Sequence, residues 1–398
     1  MKILVLNCGS SSVKYKLYDM STHDVLAQGG VEKLGLPDSF LKLTRPDGQK
    51  VVLSESLPEH TSAVKFILSV LTSPENGCIS TLEEIDAVGH RIVHGGEKFA
   101  QSVLLTQEVL DQVKECYDLA PLHNPSNIKG VEAITALLPN VPQVGVFDTA
   151  FFQTMEPYAY MYPLPYDVYK KYDVRKYGFH GTSHRYVSKR ACEILGRDYE
   201  SQKIICCHIG NGASISAIRA GKAKDTTMGL TPTSGLMMGT RSGDIDPGII
   251  PYLMEKMNMT AAQLSDLLNK KSGVLGISEI SSDMRDIEDA IEAGNERAKL
   301  AMHMYNYRIK HYVGAYMASL GGCDILVFTG GVGENQWPTR EYVCSDMEWC
   351  GLQLDKSVNT GLRSSETVIS TTNSKVVAMV VPTDEELMIA RDTMELVH

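Results

Sequence analysis

Two arginines in this chain stand where a guanidinium group could hold a transferring anion. Arg91 ends a predicted strand over 86–91, and Arg241 lies between Gly239-Thr240 and Ser242-Gly243. A guanidinium fork matches the paired oxygens of carboxylates and phosphates. The alternative for Arg91 is that it is only solvated, as an arginine at a strand end usually is. Arg241 argues against this alternative, because its glycine-rich segment has less need of an arginine that forms a structural ion pair. The pair therefore indicates a clamp on a phosphoryl group.

Asp148 and His180 are further candidates for chemistry. Asp148 follows the apolar segment Val144–Val146, and a carboxylate there can meet a metal or a nucleophile at the edge of a sheet. The alternative interpretation of Asp148 is a helix N-cap. His180 lies in the segment Gly178–His184. A histidine is more often structural than catalytic, but this rigid setting favours a hydrogen-bond donor to phosphoryl oxygens over a metal ligand.

A small-residue turn near the N-terminus could cradle phosphate. The strand-like segments Lys2–Leu6 and Val13–Tyr18 are joined by Asn7–Ser12, which predicts a β-hairpin. Its turn would present backbone N–H groups and hydroxyls, and Lys14 would add a point charge. A plain serine-rich hairpin is the alternative.

The same pattern returns about 200 residues later. Lys203–His208 and Ser214–Arg219 are strand-like, and small residues join them at Ile209–Ala213. With helical patterns such as Ser62–Leu71 between the two hairpins, this repetition indicates an internal duplication. We expect two similar α/β domains that face each other across a cleft, with substrates between them.

Two more segments carry functional signals. The apolar strand Asp324–Phe328 runs into Thr329–Asn335, whose glycines let a ligand approach the backbone. The segment Asp225–Pro247 is rich in Gly, Thr, Met and Ser, which favours a functional loop. A P-loop is excluded, because Gly221-Lys222 is followed by Ala223 and lacks the upstream glycine.

The composition limits the class of protein. A chain of 398 residues with 43% hydrophobic content is long enough for two domains. Its formal net charge of −10 argues against a nucleic-acid partner. No apolar run is long enough for a membrane span, and Lys2–Leu6 is too short for a signal-peptide core. We expect a cytoplasmic protein without a membrane partner, whose nine cysteines are reduced thiols.

Eight motifs, taken as a set, resemble those of the acetate kinase family. They are Asn7–Lys14, Gly89–Gly96, Pro121–Pro125, Phe147–Ala150, Tyr177–His184, His208–Gly212, Met228–Pro247 and Gly330–Asn335. The likeness spans essentially the whole chain. It implies an α/β protein with two duplicated ribonuclease-H-like domains, the actin-like ATPase fold, an active-site cleft between the domains, and a homodimer.

The resemblance also implies domain boundaries and catalytic roles. The N-terminal domain would be 1–148, completed by 384–398, and 149–383 would form the nucleotide-binding domain. The catalytic residues would be Arg91 and Arg241 as the acyl-phosphate clamp, His180 as the transition-state donor, and Asp148 as the acid/base or metal-orienting carboxylate.

Further residues are implied for the metal and the nucleotide. Asn7 and Glu385 would hold Mg²⁺, for which Mn²⁺ can substitute, and many relatives carry Asn where this chain has Asp384. ATP or ADP would contact Lys14, His208, Ile209, Gly210, Asn211, Gly212, Asp283, Met284, Arg285, Gly331, Val332, Gly333, Glu334 and Asn335.

A small acyl pocket completes the implied site. Beside Arg91, the residues Val93, Leu122, Phe179 and Pro232 would line it, and the branched Val93 favours acetate over propionate. The expected reaction is reversible phosphoryl transfer from ATP to acetate by a direct in-line path. A propionate or other short-chain acyl kinase is the alternative within the family. A nucleotide-switched binding or filament protein is the alternative of another class, against which the paired arginines and His180 argue.

Overall fold

The structure is a computed structural model that describes residues 1–45 and 47–398. The strands are β1 (Lys2–Cys8), β2 (Ser12–Asp19), β3 (Asp24–Glu32), β4 (Phe40–Thr44), β5 (Lys50–Ser54), β6 (Ala87–Ile92), β7 (Val103–Leu104), β8 (Gln143–Phe147), β9 (Lys203–Ile209), β10 (Ala213–Arg219), β11 (Lys222–Thr226), β12 (Ile325–Thr329), β13 (Thr367–Val368) and β14 (Val377–Val380).

The α-helices are α1 (His60–Leu71), α2 (Gln107–Lys114), α3 (Asn124–Leu137), α4 (Pro157–Tyr160), α5 (Tyr166–Tyr172), α6 (Gly181–Leu195), α7 (Ile249–Lys256), α8 (Ala261–Lys270), α9 (Gly273–Ser278), α10 (Met284–Glu292), α11 (Glu296–Leu320), α12 (Gly330–Asn335), α13 (Trp337–Cys344), α14 (Lys356–Asn359) and α15 (Glu385–Val397). Short 3₁₀ helices lie at Leu82–Glu84, Ala150–Thr154, Tyr199–Ser201 and Glu348–Cys350. Within the described ranges, no helix is both long and apolar enough to cross a membrane.

The chain divides into two compact units. The first unit comprises Met1–Gln153 and Asp384–His398, and the second comprises Thr154–Thr383. This grouping differs from the boundary expected after residue 148 by residues 149–153, and the predicted domain limits stay a prediction.

The first unit holds an eight-stranded sheet in the order β5-β4-β3-β2-β1-β6-β8-β7. The N-terminal hairpin is as predicted, with β1 antiparallel to β2 and parallel to β6. Residues of β1 are buried on both faces: Ile3 and Val5 pack in the cluster that includes Ile389 of α15, whereas Leu4 packs in the cluster of α1. Helices on both faces are what a strand of nearly continuous apolar residues requires.

Helix α1 shows how the sequence specifies a packed element. Ala63, Val64, Ile67, Leu68 and Leu71 are all buried, which is the i, i+4 stripe of an amphipathic helix. The stripe packs in the same cluster as Leu4. Truncating one of the large members to alanine costs about 2–5 kcal/mol in a packed core.

The second unit holds a six-stranded sheet in the order β11-β10-β9-β12-β14-β13. Here β9 is antiparallel to β10 and parallel to β12, which is parallel to β14. The first unit has the same arrangement in β2, β1, β6 and β8. The predicted duplication of α/β units is therefore confirmed, and each unit has the arrangement expected of a ribonuclease-H-like domain.

Candidate active site

Arg91 and Asp148 form the centre of the site in the first unit. Arg91 lies one residue before the end of β6, and Asp148 directly follows β8; these neighbouring strands are parallel, so their carboxyl ends meet at one sheet edge. Arg91 Nη2 donates to Asp148 Oδ2 at 2.6 Å, and Nε lies 3.1 Å from both carboxylate oxygens. The Asp148 side chain is buried and that of Arg91 is 24% exposed. Asp148 thus orients the guanidinium fork, while part of Arg91 stays accessible.

Asn7 and Lys14 lie beside this pair. Asn7 Oδ1 accepts from Arg91 Nη1 at 3.3 Å. Lys14 on β2 stands directly opposite Asn7 on β1, and its side chain is exposed. The first unit therefore brings together a guanidinium, an ammonium, an amide oxygen and a carboxylate at one edge of its sheet.

Glu385, the first residue of α15, shares this environment. Burial raises the pKa of its carboxyl to about 7; Asp148 and Glu386 add to the rise, and Arg91 opposes it. A cation would relieve this repulsion between carboxylates. Asn7 and Glu385 offer hard oxygen ligands, and Mg²⁺ commonly uses one or two protein oxygens with water and substrate phosphates. The two residues fit such an ion, and no cluster of three or more ligating His, Cys, Asp or Glu side chains occurs among the described residues.

Asp384, the residue before α15, has contacts that stabilise the local structure. Its Oδ1 accepts from Leu387 N at 3.1 Å and so caps α15. The same oxygen accepts from Tyr18 Oη at 3.1 Å and Lys16 Nζ at 3.3 Å. The charge of Asp384 is therefore directed to the helix start and to Lys16.

In the second unit, His180 and Arg241 converge on Gly212. A Cβ atom built on Gly212 would lie 3.3 Å from Arg241 Nη1 and 3.7 Å from Nε2 of His180. Arg241 Nη1 also donates to Pro232 O at 3.5 Å. Burial lowers the pKa of Arg241. A side chain at position 212 would therefore contact both groups.

His180 has an unusual backbone. It precedes α6 with φ 59° and ψ 24°, in the left-handed region. That conformation costs a non-glycine residue roughly 1–2 kcal/mol, and such strain is concentrated at functional sites. The ring of His180 stacks on that of His208, with centroids 4.3 Å apart.

Serines and histidines behind this stack form a buried network. Ser183 Oγ lies 2.7 Å from His208 Nδ1, and Ser214 Oγ lies 2.9 Å from His180 Nδ1. His184 joins Ser214, with Nε2 to Oγ at 2.7 Å. Sequence analysis did not find the two serines. For Ser214 there was a signal, since β10 is buried from Ala213 to Ile218 and carries Ser at positions 214 and 216; Ser183 lies on α6 and had no such signal.

A cavity of about 590 Å³ in the second unit is lined by many of the residues that the resemblance implies for the nucleotide. Of the expected residues it is lined by Gly210, Asn211, Asp283, Met284, Arg285, Gly331, Val332 and Asn335. Five other expected residues stand next to these on β9, its turn and α12, namely His208, Ile209, Gly212, Gly333 and Glu334. The remaining one, Lys14, lies on β2 of the first unit. The cavity also has lining residues that sequence analysis missed: Ser282, Glu288, Gln336 and Arg363.

The glycine-rich segment after β12 is a short helix, α12. Gly330 starts it with φ 78°, and a Cβ there would come within 2.8 Å of Ile209 O, so the position requires glycine. Glu334 Oε1 accepts from Gly330 N at 3.0 Å and from Thr383 N at 3.2 Å. Glu334 thus fixes the backbone of this segment.

The four residues expected around the acyl group are divided between the units. Val93 in the first unit is buried, and its backbone N donates to Asn127 Oδ1 at 3.0 Å. Leu122, in the same unit, is 72% exposed. Phe179 in the second unit is buried next to His180, and Pro232 contacts Arg241 through its carbonyl.

Sequence comparisons agree with the resemblance. A model of the Acetokinase family matches residues 2–391. An acetate kinase from Porphyromonas gingivalis is 67% identical over 396 residues, covering 100% of both chains. An acetate kinase from Bacteroides thetaiotaomicron is 65% identical over 396 residues, covering 100% of this chain and 99% of that one.

Solved structures give the same result. The crystal structure of Porphyromonas gingivalis acetate kinase matches with a TM-score of 0.98 at 67% identity, over 100% of both chains. A propionate kinase from Francisella tularensis matches with a TM-score of 0.92 at 42% identity, over 99% of both. The acetate kinase from Entamoeba histolytica matches with a TM-score of 0.89 at 35% identity, over 100% of this chain and 99% of that one. This chain therefore belongs to the acetokinase family.

Proposed function

We propose that this chain is an acetate kinase, which transfers the terminal phosphoryl group of ATP to acetate and forms acetyl phosphate and ADP reversibly. The observation that carries the proposal is the guanidinium group of Arg91, held by the buried Asp148 and still partly accessible. The acetate kinase names of relatives at 65% and 67% identity support the choice of reaction.

Acetate is ionised at pH 7, so its oxygen is already a nucleophile and needs alignment and charge neutralisation. We therefore assign Asp148 the role of orienting Arg91 instead of removing a proton. Both carboxylate oxygens of Asp148 already accept from that guanidinium, which supports this role. A hydroxyl acceptor would need a general base at the same place.

Charge develops on the phosphoryl oxygens during in-line transfer, and fixed donors stabilise it. We assign this role to Arg91, Arg241 and His180. The approach of the last two groups to Gly212 supports their acting on one anion. When bound by Asn7 and Glu385, a Mg²⁺ ion would neutralise phosphate charge, and Mn²⁺ could take its place. Lys14 would contact the phosphates.

We assign the nucleotide to the cavity lined by Asn211, Asp283–Arg285 and Asn335. Val93, Leu122, Phe179 and Pro232 would surround the methyl group. Because one of the similar structures is a propionate kinase, propionate is the second candidate acceptor. One methylene changes discrimination by only about 1–3 kcal/mol, so we expect propionate to be a slower substrate.

We further propose a cytoplasmic homodimer. All nine cysteines are free thiols in the structure, which fits a reducing compartment. Sedimentation of the purified protein would test the dimer, and cell fractionation would test the compartment.

The acceptor is tested by trapping acyl phosphate with hydroxylamine. Protein, ATP and Mg²⁺ are incubated with acetate, propionate, butyrate or glycerol, and the hydroxamate is measured. We expect the greatest hydroxamate yield with acetate and no ADP release with glycerol, whose phosphate ester hydroxylamine does not trap. The greatest yield with propionate or butyrate would contradict the assignment of acetate, and ADP release that needs no acceptor would contradict a kinase.

A further inference from the structure

A row of buried hydrogen bonds leads from the interior of the second unit to His180. Ser216 Oγ lies 2.7 Å from His184 Nδ1, and His184 Nε2 lies 2.7 Å from Ser214 Oγ. Ser214 Oγ in turn lies 2.9 Å from His180 Nδ1. Ser214, Ser216 and His184 are fully buried, so these bonds are shielded from exchange with bulk water.

The number of hydrogens in the row allows two arrangements. Burial, with a smaller contribution from His208, holds the pKa of His184 well below its ordinary value, so this ring carries one N–H at pH 7. The single hydroxyl hydrogen of Ser214 can be donated to only one of its two histidine partners. If His184 donates to Ser214, then Ser214 donates to His180 Nδ1, and the proton of a neutral His180 must sit on Nε2. In the opposite arrangement His180 donates through Nδ1.

The position of His180 beside Gly212 and Arg241 bears on which arrangement serves the proposed reaction. Its Nε2 edge is directed toward Gly212, where Arg241 Nη1 also approaches, and His208 stacks on its ring. The guanidinium of Arg241 beside the ring disfavours a second positive charge there. A neutral ring can donate toward a phosphoryl group only if Nε2 carries the hydrogen.

We propose that Ser214 and His184 are positioning residues that hold His180 as the neutral Nε2–H tautomer, directed at the transferring phosphoryl group. The tautomer itself is a property of the free protein. The choice of this tautomer, and its use in phosphoryl transfer, rest on the proposed function.

The test is nitrogen NMR of the substrate-free protein labelled with ¹⁵N-histidine. Among the eleven histidines, the His180 signals are assigned by their loss in His180→Ala. We expect a protonated Nε2 and an unprotonated Nδ1 at pH 7. A protonated Nδ1 in the wild-type protein would overturn the proposal, whether or not any variant folds.

Variants then test the relay, by which we mean the hydrogen bonds from His184 through Ser214 to His180. Ser214→Ala should give a mixture of His180 tautomers and lower kcat about tenfold, with the KM values for ATP and acetate changed less than about twofold. Ser214→Thr keeps the hydroxyl and should restore the Nε2–H signal. Ser188→Ala is the matched control, because Ser188 is equally buried but bonds to Tyr199.

Each outcome is decisive. An unchanged His180 tautomer in Ser214→Ala, or an equal loss of kcat in Ser188→Ala, would overturn the role of Ser214. A wild-type protein with the Nε2–H signal but without acetyl phosphate formation would leave the relay intact and refute the proposed function instead.

Discussion

Asp148 is a fully buried carboxylate whose two oxygens both face the guanidinium of Arg91, with the shortest bond from Nη2 at 2.6 Å. This contact raises the pKa of Arg91 above its ordinary value, although burial opposes the rise. These hydrogen bonds affect both stability and the proposed function, because they compensate the buried charge of Asp148 and fix the orientation of the Arg91 guanidinium. Their removal should therefore affect both.

Arg91→Ala is expected to lower kcat by about 10²–10³, the usual effect of losing one fixed donor to a developing charge. It should also lower the free energy of unfolding by about 3–5 kcal/mol, because Asp148 is left buried without its partner. Activity assays and urea denaturation measure the two effects.

The double variant Arg91→Ala/Asp148→Ala separates the two effects. Removal of both charges should recover most of the lost stability but none of the lost activity. A single variant Arg91→Ala with wild-type kcat would show that Arg91 does not act on the phosphoryl group.

Val93→Ala is expected to shift acceptor preference toward propionate. Val93 is buried, so shortening its side chain opens space for about one methylene, which is worth about 1–3 kcal/mol of discrimination. The measurement is the ratio of kcat/KM for propionate to that for acetate. Val131→Ala, at another buried valine of the first unit, should leave this ratio unchanged; a shift of the same size there would show that Val93 does not shape the acyl pocket.

The Mg²⁺ requirement should depend on Glu385 but hardly on Asp384. Glu385→Gln removes a charged oxygen ligand and should raise the Mg²⁺ concentration for half-maximal rate more than about tenfold. Asp384→Asn keeps an oxygen that can cap α15 and should change that concentration less than about threefold. Mg²⁺ titration of the rate checks both; equal effects of the two variants would contradict the metal assignment.

Acid should destabilise the protein partly through His90. Burial lowers the pKa of this ring to about 4, with its Nε2 near Gln143 Oε1 at 2.8 Å. The unfolded chain binds the proton more tightly, with a pKa near 6.5, so the stability contribution is complete above pH 6.5 and is lost as the pH falls toward 4. The loss amounts to about 3 kcal/mol.

Urea denaturation at pH 7 and pH 4 tests this linkage. The stability difference between the two pH values should be smaller in His90→Gln than in the wild type, and His398→Gln, at the exposed C-terminal residue, should behave as the wild type. An unchanged difference in His90→Gln would show that His90 does not carry this effect.

Local patterns were enough to predict the elements that position the site. The hairpins β1–β2 and β9–β10 were predicted because runs of apolar residues flank turns of small residues. Their repetition predicted the duplicated sheet arrangement, which the strand order confirms. The glycine-rich segment after β12 was predicted as a ligand contact, and the structure adds that it is helical.

Contacts between distant segments could not be predicted in this way. Nothing in the sequence around His184 distinguishes it from a structural histidine. In the structure, Ser214 and Ser216 of β10 lie at its two ring nitrogens. Arg363 and Glu288 line the cavity of the second unit from separate segments, and neither has a local motif. The alternative of Asp148 as a helix cap could be weighed only after the structure gave its partner, Arg91.

The central claim is transfer of a phosphoryl group to acetate, and ³¹P NMR follows it directly. Purified protein with ATP and Mg²⁺ is observed with and without acetate, and acetyl phosphate, ADP and inorganic phosphate are quantified together. The account predicts one acetyl phosphate for each ADP when acetate is present and no turnover without it. ADP and inorganic phosphate appearing at the same rate in both samples would contradict it.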